Sequence, residues 1–309
     1  MITIKEVFVV KKPSDTGSVL TDKSSLPRRA FLKVAGLGVP IMALLGKIPQ
    51  ALAGPWERGI KNYWHQGRFA QDNVNTGKIH EGIIEARIND RWDKYRVAEL
   101  NDAFMEWNLK ARLDYLKKIA QSEMPSLSGP HCASVATYGG RRRDSEFTLN
   151  NAVKGMGLVP KKDRIEELGE RLKSTMDADM KEKLEILQDN YNHPELWDRG
   201  KQISLELYAR PEFETHTFLN LMANPMATII FLDMPSYELR TIVRIIHPQD
   251  PNMLPEEKAL LEYSNLAHGY FHGGAERLHN LLVFHIIEQF DNSPGSGMGV
   301  RVQPPLPEE

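Results

Sequence analysis

The chain has 309 residues, of which 41% are hydrophobic and 26% are charged, and its formal net charge at pH 7 is −2. These values are those of a folded globular protein, and they exclude a disordered tail, a collagen-like repeat and a small disulfide-stapled domain. A nearly neutral chain has no overall positive field for phosphates, so we expect no nucleic acid among its partners.

The first 53 residues differ from the rest in charge and in pattern. They hold eight Lys and Arg against three acids, whereas residues 54–309 hold 31 basic and 38 acidic residues. The string Arg28-Arg-Ala-Phe-Leu-Lys33 precedes an apolar run from Val34 to Leu45, and the triplet Ala51-Leu-Ala53 follows. This order is typical of a cleavable signal peptide. The apolar run is shorter than the roughly 20 residues that span a membrane.

The Arg28-Arg-Ala-Phe-Leu-Lys33 string resembles the twin-arginine export signal. The resemblance implies recognition by the twin-arginine export machinery, which exports proteins already folded and often loaded with a cofactor. We therefore expect cleavage after Ala53 and a periplasmic mature chain of about residues 54–309. A chance arginine pair in a general secretory signal is the alternative, and a cofactor-free passenger stays open.

The chain has a single cysteine, Cys132. This excludes an internal disulfide and every zinc, iron–sulfur or covalent haem site that is built on several cysteines. A nucleophilic thiol would need a base positioned beside it. His131 is the preceding residue in the chain, but adjacency in sequence does not mean that its ring faces the thiol. We expect Cys132 to be a small buried apolar residue.

Two regions of the mature chain have a helical pattern. Residues 57–122 carry apolar residues at steps of three and four, which predicts a helical N-terminal region over 54–130. Residues 161–191 predict a second long helix, with one apolar stripe among charges of both signs. The apolar positions are Val97, Leu100, Phe104, Trp107 and Ala111 in the first region, and Ile165, Leu168, Leu172, Met176, Met180, Leu184, Leu187 and Tyr191 in the second.

From about residue 202 the pattern becomes that of a sheet. Three short segments alternate in polarity or are rich in β-formers, and Asp233-Met-Pro-Ser236 is a hairpin connection between the last two. These strands are 203–209, 226–232 and 237–247. A helix is predicted from Pro255 to about Phe271, 280–290 fits strand or helix, and 294–309 is predicted to be a flexible tail. The chain is therefore predicted to be an α+β protein.

One segment of this sheet region has a recognisable order. A polar cluster from Glu214 is followed by Asn220-Leu-x-x-Asn224-Pro225, an apolar strand, a hairpin and another strand. With the strand and turn Ala133–Arg141, it resembles the pyridoxamine 5'-phosphate oxidase-like family of FMN-binding split barrels. The resemblance implies a six-stranded antiparallel split barrel in residues 131–293, with a helical insertion at about 148–201. The same motif is also typical of a plain helix-to-strand connection.

The resemblance also implies a homodimer that binds FMN at the subunit interface. The family's phosphate contacts match the polar cluster, where the family more often has Arg or Lys in place of His216. The run Arg141-Arg-Arg143 is a second source of positive charge. A turn capped by Thr and Glu, and a solvated hairpin tip, are the alternatives for these two segments. The candidate cofactor-binding residues are Thr137, Arg141, Arg210, Thr215, His216 and Thr217.

A histidine cluster offers a different chemistry. Four of the ten histidines lie within residues 268–285. On a continuous helix of about 100° per residue, one set of four metal-ligand side chains would lie within about 80° of one another, which suits zinc, iron or copper. Gly273-Gly274 opposes a continuous helix, and surface histidines near a subunit contact are the alternative. The set is His268, His272, Glu276 and His279.

These patterns predict an exported FMN-dependent oxidoreductase, with a periplasmic redox partner and no identified catalytic residue. Two alternatives remain. The first is a periplasmic protein that binds haem or a transition metal through the histidines of residues 268–285. The second is a cofactor-free accessory subunit of a periplasmic redox complex.

Overall fold

The computed structural model describes residues 61–123, 128–272, 277–295 and 297–307. The predicted signal peptide lies outside these ranges. The described residues form two antiparallel sheets with helices, so the α+β prediction is confirmed. The strands are β1 (Val74–Asn75), β2 (Ile83–Ile88), β3 (Arg91–Arg96), β4 (Cys132–Thr137), β5 (Asn150–Gly155), β6 (Gly157–Pro160), β7 (Trp197–Glu206), β8 (Met226–Phe231), β9 (Tyr237–Ile246), β10 (Asn280–Asp291) and β11 (Val300–Gln303). The helices are α1 (Asp102–Ala120), α2 (Ile165–Ser174), α3 (Met180–Tyr191), α4 (His216–Ala223) and α5 (Pro255–His272), with 3-10 turns at Ile79–Glu81 and Pro194–Leu196.

The larger sheet is curled. Its hydrogen-bonded order is β5-β4-β8-β9-β10-β7-β6, and β11 pairs with β10. β5 and β6 stand at opposite ends of this order, yet only Met156 separates them in the chain. Because consecutive Cα atoms are about 3.8 Å apart, the last residue of β5 and the first residue of β6 lie close together. A buried ion pair of 2.7 Å between Lys154 on β5 and Glu206 on β7 links the same two sides.

The strands of this sheet follow the period-two pattern of their sequences. On β4, Ala133, Val135 and Thr137 are buried and the residues between them are partly exposed. Successive side chains of a strand point to opposite faces, so one face of β4 contributes to the core and the other does not. The predicted strands at 226–232 and 237–247 and the hairpin between them are confirmed as β8 and β9. Residues 280–290, which fit either strand or helix, form β10.

The helices bury single stripes against each other and the sheet. α2 packs on α5, and α1 packs on α3. The predicted helix at 255–271 is confirmed, whereas the single helix predicted over 161–191 is wrong, because the chain breaks between Ser174 and Met180. Asp179 begins α3 as its N-cap, and its side chain accepts a hydrogen bond from the Glu182 amide at 3.0 Å. The apolar stripe continues across the break, so periodicity alone does not reveal it.

The helical prediction for the N-terminal region is correct only for α1. Residues 74–96 instead form a small antiparallel sheet in the order β1-β2-β3, packed on Ile242 of β9. Asn89 and Asp90, with φ of 48° and 63°, make the tight turn between β2 and β3. Positive φ at both turn residues is typical of a two-residue hairpin, and Asn and Asp tolerate it better than most residues.

The N-terminal segment, residues 61–73, is attached to the core by side-chain amides. The Gln71 amide nitrogen donates to the Leu221 and Val243 carbonyls at 3.3 and 3.1 Å, and its oxygen accepts from the Ile245 amide at 2.8 Å. The Asn73 amide nitrogen donates to the Leu221 and Met222 carbonyls at 3.1 and 3.0 Å. Buried polar groups need partners, so these bonds fix the segment across the end of α4 and the end of β9.

Two further predictions need correction. The insertion predicted at about 148–201 contains β5 and β6, which belong to the curled sheet, so only α2, α3 and their connections are additional to it. The tail predicted to be flexible over 294–309 includes β11, which pairs with β10 at Gln289–Asp291. Within the described ranges, no helix combines the length and the apolar character that crossing a membrane requires.

Candidate functional site

The start of α4 brings most of the predicted phosphate contacts together. Thr215 is the N-cap, and its hydroxyl oxygen accepts a hydrogen bond from the Phe218 amide at 3.1 Å. This is the cap interpretation that the sequence left open. A hydroxyl that accepts one bond can still donate its own hydrogen, so the capping role leaves Thr215 able to contact a ligand.

A basic and acidic cluster lies beside this helix start. Asp144 accepts hydrogen bonds from Arg142 Nε and Nη2 at 2.8 and 2.7 Å, and its Oδ1 lies 3.3 Å from His216 Nε2. We call these three residues the Arg142 cluster. The hydrogen bond from Arg142 is the main reason why the pKa of Asp144 is lowered, so its carboxyl is ionised at neutral pH. A paired guanidinium and carboxylate of this geometry bind more strongly than neutral groups do.

Glu214, next to the cap, is the least satisfied polar group in this region. The residue is only 6% exposed, and neither carboxylate oxygen has a partner in good hydrogen-bond geometry. Burial raises its pKa to about 7, against the opposing effects of the Trp64 indole N–H and the Arg142 charge. The indole N–H of Trp64 is itself buried without a partner in hydrogen-bond geometry. A buried carboxyl with these properties exchanges protons near neutral pH.

Aromatic side chains of the N-terminal segment pack on Phe218 of α4. Trp64 stacks on Phe218 with ring centroids 5.4 Å apart, and Phe69 meets Phe218 edge-on at 4.9 Å. Tyr63 also contacts Phe218, and its pKa is raised to about 12, mainly by burial and then by the nearby Asp72 and Glu214 charges. Trp64 and Tyr63 both lie close enough to Glu214 to interact with its charge.

Asn220 attaches β4 and its following loop to α4. Its amide oxygen accepts from the Gly140 amide at 2.7 Å, and its amide nitrogen donates to the Thr137 hydroxyl at 3.1 Å. The Thr217 hydroxyl likewise accepts a hydrogen bond from the side-chain amide of Asn150 at 3.2 Å. Both threonines are buried. These two predicted cofactor contacts therefore take part in bonds that hold the site together.

The second asparagine of the Asn-Leu-x-x-Asn-Pro motif also serves the fold. The Asn224 side-chain oxygen accepts from the Asn89 amide at 2.8 Å, in the turn of the small sheet. The backbone around Gly139 and Gly140 runs so close to α4 that a Cβ at Gly140 would overlap the Leu219 carbonyl group. The motif therefore fixes three segments that are distant in sequence.

The remaining predicted contacts lie further out. Arg141 and Arg210 are exposed, and the Arg210 backbone pairs with that of Phe213 in an isolated bridge. The sequence predicts Arg142 only as part of the Arg141-Arg-Arg143 run, and it does not predict Asp144 or Glu214. The signals in the sequence were that Asp144 directly follows the three arginines and that Glu214 directly precedes the Thr215 cap.

The histidines of the alternative site do not share one described helix. α5 ends at His272, and His279 directly precedes β10. Asn265 holds the His279 backbone, accepting from its amide at 2.7 Å, so the His268 and His279 rings lie 5.8 Å apart. The side chain of His272 and all of Glu276 lie outside the described residues. Among the residues that are described, no group of three or more His, Cys, Asp or Glu is arranged to hold a metal ion.

Cys132 and His131, the candidate nucleophile and its neighbouring base, are both uncharged at pH 7. Cys132 was expected to be buried, but it is half-buried on β4, and burial raises the pKa of its thiol. Burial lowers the pKa of the neighbouring His131 well below its usual range. The pair therefore has no thiolate and no imidazolium, which is the structural reason against a nucleophilic Cys132.

The sequence was also compared with known proteins. No protein-family model matches the chain, and no curated protein matches its sequence.

Proposed function

We propose that the chain is an exported FMN-binding split-barrel protein that acts as a flavin-dependent oxidoreductase. The observation that carries the proposal is the strand order of the curled sheet. When β5 and β6 are taken as one strand bent at Met156, the order contains six strands and its two end segments are continuous in the chain, which supports a ring of β5–β6, β4, β8, β9, β10 and β7. A six-stranded antiparallel barrel is what the sequence resemblance implies.

The neighbourhood of α4 supports the same proposal. The resemblance rests on two stretches, the strand and turn at Ala133–Arg141 and the segment from Glu214 to Phe231. The two bonds of Asn220, to Gly140 and Thr137, bring these stretches into direct contact. Pieces that match one family in sequence would be expected to meet in space if the family's fold were present.

The residues at the start of α4 have the chemistry that the phosphate of FMN needs. Arg142 offers a planar set of donors, His216 a ring N–H, and Thr215 the hydrogen of its hydroxyl. Thr137 and Thr217 would act indirectly, through the bonds that they make to Asn220 and Asn150. Arg141 and Arg210 would add positive charge at the exposed rim.

Bound FMN would supply the two-electron redox chemistry, and the protein would supply its position and surroundings. In this division Arg142 and His216 bind and orient the phosphate. Glu214 is buried, with the Trp64 indole N–H beside it. The Glu214 carboxyl holds or releases a proton near neutral pH, because burial raises its pKa to about 7.

The homodimer is part of the same proposal. Phe147, Leu149 and Val153 are exposed along one short stretch of chain, in β5 and the loop before it. Large apolar side chains exposed together are typical of subunit contacts. The neighbouring Asn150 contacts Thr217, so such a contact would border the proposed cofactor site. Light scattering of the purified protein tests it, and the proposal requires a dimer mass.

Export to the periplasm through the twin-arginine machinery, and a redox partner there, complete the proposal. The string at residues 28–33 carries this part, and it lies outside the described residues. Replacing Arg28 and Arg29 together by Lys should retain the uncleaved precursor in the cytoplasm. Unchanged export of the double variant would contradict this route.

The visible absorption spectrum of the purified, exported protein tests the function directly. We expect flavin bands, with FMN released on denaturation, and a loss of flavin when Thr215 and His216 are both replaced by Ala. A single intense Soret band would favour haem. Bound metal that falls in His268→Ala and His272→Ala variants would favour the metal alternative. A colourless, metal-free protein that co-purifies with another chain would favour the accessory subunit.

A further inference from the structure

The Arg142 cluster has the geometry of a filled anion site. Two nitrogen atoms on one edge of the Arg142 guanidinium donate to the two different oxygens of Asp144, at 2.8 and 2.7 Å. His216 approaches one of the same oxygens from α4 at 3.3 Å. A guanidinium fork binds two oxygens of a phosphate in the same way as it binds a carboxylate.

The donor groups of this arrangement, on Arg142 and His216, are held without Asp144. Arg142 Nη1 donates to the Glu214 carbonyl at 3.0 Å, and the guanidinium lies over the Phe213 ring, 5.2 Å from its centroid. His216 is the first residue of α4 and is therefore positioned by the helix. The donors would stay in place if the carboxylate moved away.

Asp144 is the less constrained member. It lies in the connection between β4 and β5, which has no helix or strand from Tyr138 to Leu149, and its side chain is 37% exposed. The hydrogen bond from Arg142 keeps its pKa low, so at neutral pH Asp144 is an anion that competes for the same donors as any incoming anion.

From this geometry we propose that Asp144 is an internal substitute for a phosphate group, which a phosphate ester displaces when it binds to Arg142 and His216. The identity of that ester as FMN rests on the proposed function, whereas the internal competition does not. Displacement makes affinity depend on the fraction of molecules whose site is open. If Asp144 occupies the donors nine-tenths of the time, removing its charge would tighten phosphate-ester binding roughly tenfold.

Titration of the apoprotein with FMN and with riboflavin, followed by flavin fluorescence, tests this. Riboflavin has the same ring system and no phosphate. We expect Asp144→Asn to bind FMN roughly tenfold more tightly than the unsubstituted protein, with no change for riboflavin. Asp189→Asn is the matched control, because Asp189 also pairs with an arginine at 2.7 Å and faces a histidine at 3.7 Å. It should leave both affinities unchanged.

An equal FMN affinity of Asp144→Asn and the unsubstituted protein would overturn the inference while leaving the proposed function intact. An equal gain for riboflavin would also overturn it, because the phosphate would not be involved. If neither flavin binds, the proposed function fails, and inorganic phosphate becomes the probe. Greater thermal stabilisation of Asp144→Asn than of the unsubstituted protein by phosphate would then support the internal substitute, and equal stabilisation would overturn it.

Discussion

The Arg142 cluster and a second cluster of Arg171, Asp189 and His193, here the Arg171 cluster, contain the same three residue types. In both, the arginine donates to the aspartate at 2.7 Å and a histidine nitrogen lies within 4 Å of the aspartate. In both, the hydrogen bond from the arginine lowers the pKa of the aspartate. Neither the residue types nor the ion pairs distinguish them.

The surroundings distinguish the two clusters. The Arg171 cluster joins α2 to the end of α3, and its Asp189 and His193 side chains are half exposed. The Arg142 cluster borders Glu214, a buried carboxyl without a partner, and the capped start of α4. Exposed ion pairs contribute little and occur on most protein surfaces. The buried polar residue beside the Arg171 cluster, Asn190, is hydrogen-bonded, whereas Glu214 is not. A cluster therefore becomes a candidate site through a buried polar group beside it that lacks a partner.

The largest difference in stability between the two regions is expected when one methyl group is added to a glycine in each. Gly140→Ala should lower the free energy of unfolding by about 3 kcal/mol, because its Cβ would overlap the Leu219 carbonyl group of α4. Gly169→Ala, in α2 beside the Arg171 cluster, has nothing within 4 Å of the new Cβ. It should stabilise the protein by about 0.5–1 kcal/mol. Urea unfolding of both variants measures this, and equal effects would remove the structural distinction.

Glu214→Gln should change how stability depends on pH. The raised pKa of Glu214, about 7, means that the folded state keeps a proton that the unfolded chain has released. Its contribution is therefore complete below the ordinary pKa and is lost as the pH rises through about 7. Relative to Glu214→Gln, the unsubstituted protein should lose about 2–3 kcal/mol between pH 5 and pH 8.

Asp189→Asn, on the Arg171 cluster, serves as the control for this pH series and should show no such loss. The buried histidines are the same in each variant and in the unsubstituted protein, so their contribution to the pH dependence of stability cancels in the difference. Burial lowers the pKa of His285 to about 3, so this residue destabilises the fold as the pH falls below the ordinary pKa of histidine. Glu214 has the opposite effect, because its contribution is lost as the pH rises. A Glu214→Gln difference that stays constant from pH 5 to 8 would show that Glu214 is ordinarily ionised.

Asn220→Ala should lower the free energy of unfolding by about 2 kcal/mol, because it leaves the buried Thr137 hydroxyl and the Gly140 amide without a partner. Asn190→Ala is the comparison in the Arg171 cluster, where the Asn190 oxygen accepts from Arg171 Nη1 at 2.8 Å. Arg171 can turn to water, so the loss there should be about 1 kcal/mol. Thermal unfolding followed by circular dichroism measures both, and a larger loss in Asn190→Ala would reverse the comparison.

The smallest effect is expected from the two aspartates themselves. Asp144→Asn and Asp189→Asn should each change the free energy of unfolding by less than about 1 kcal/mol, because both ion pairs are partly exposed. Both pKa values are lowered, so each contribution is present above the ordinary pKa and is lost as the pH falls through the lowered one. High salt should shrink both effects, and a large loss in Asp144→Asn alone would mean that it is structural.

Local patterns predicted the parts of the fold that are determined locally. The β8–β9 hairpin and α5 follow from alternation, a turn and a helical stripe within one short stretch each. The β2–β3 hairpin was missed because its signal is the backbone conformation of Asn89 and Asp90. β5 was missed because its sequence, Asn150–Gly155, is mostly polar or small, and it becomes a strand by pairing with β4.

The candidate site was predicted in part for the same reason. Thr215 and His216 stand beside a helix start that the sequence reveals. Asp144 and Glu214 acquire their roles only because residues 138–149 fold onto α4, about 70 residues further along the chain. Asn220 was recognised as part of a motif, but its two bonds reach back to residues 83 and 80 positions earlier.

The attachment of the N-terminal segment has a consequence for the order of folding. The partners of Gln71 lie 150 to 174 residues later in the chain. At 5–20 residues per second, synthesis needs about 10 to 35 s to produce Ile245 after Gln71. The segment that follows the predicted leader is therefore synthesised early but cannot complete these bonds until Ile245 has been added. A leader joined to this segment would be anchored to the core only after α4 and β9, which hold the segment, have been made.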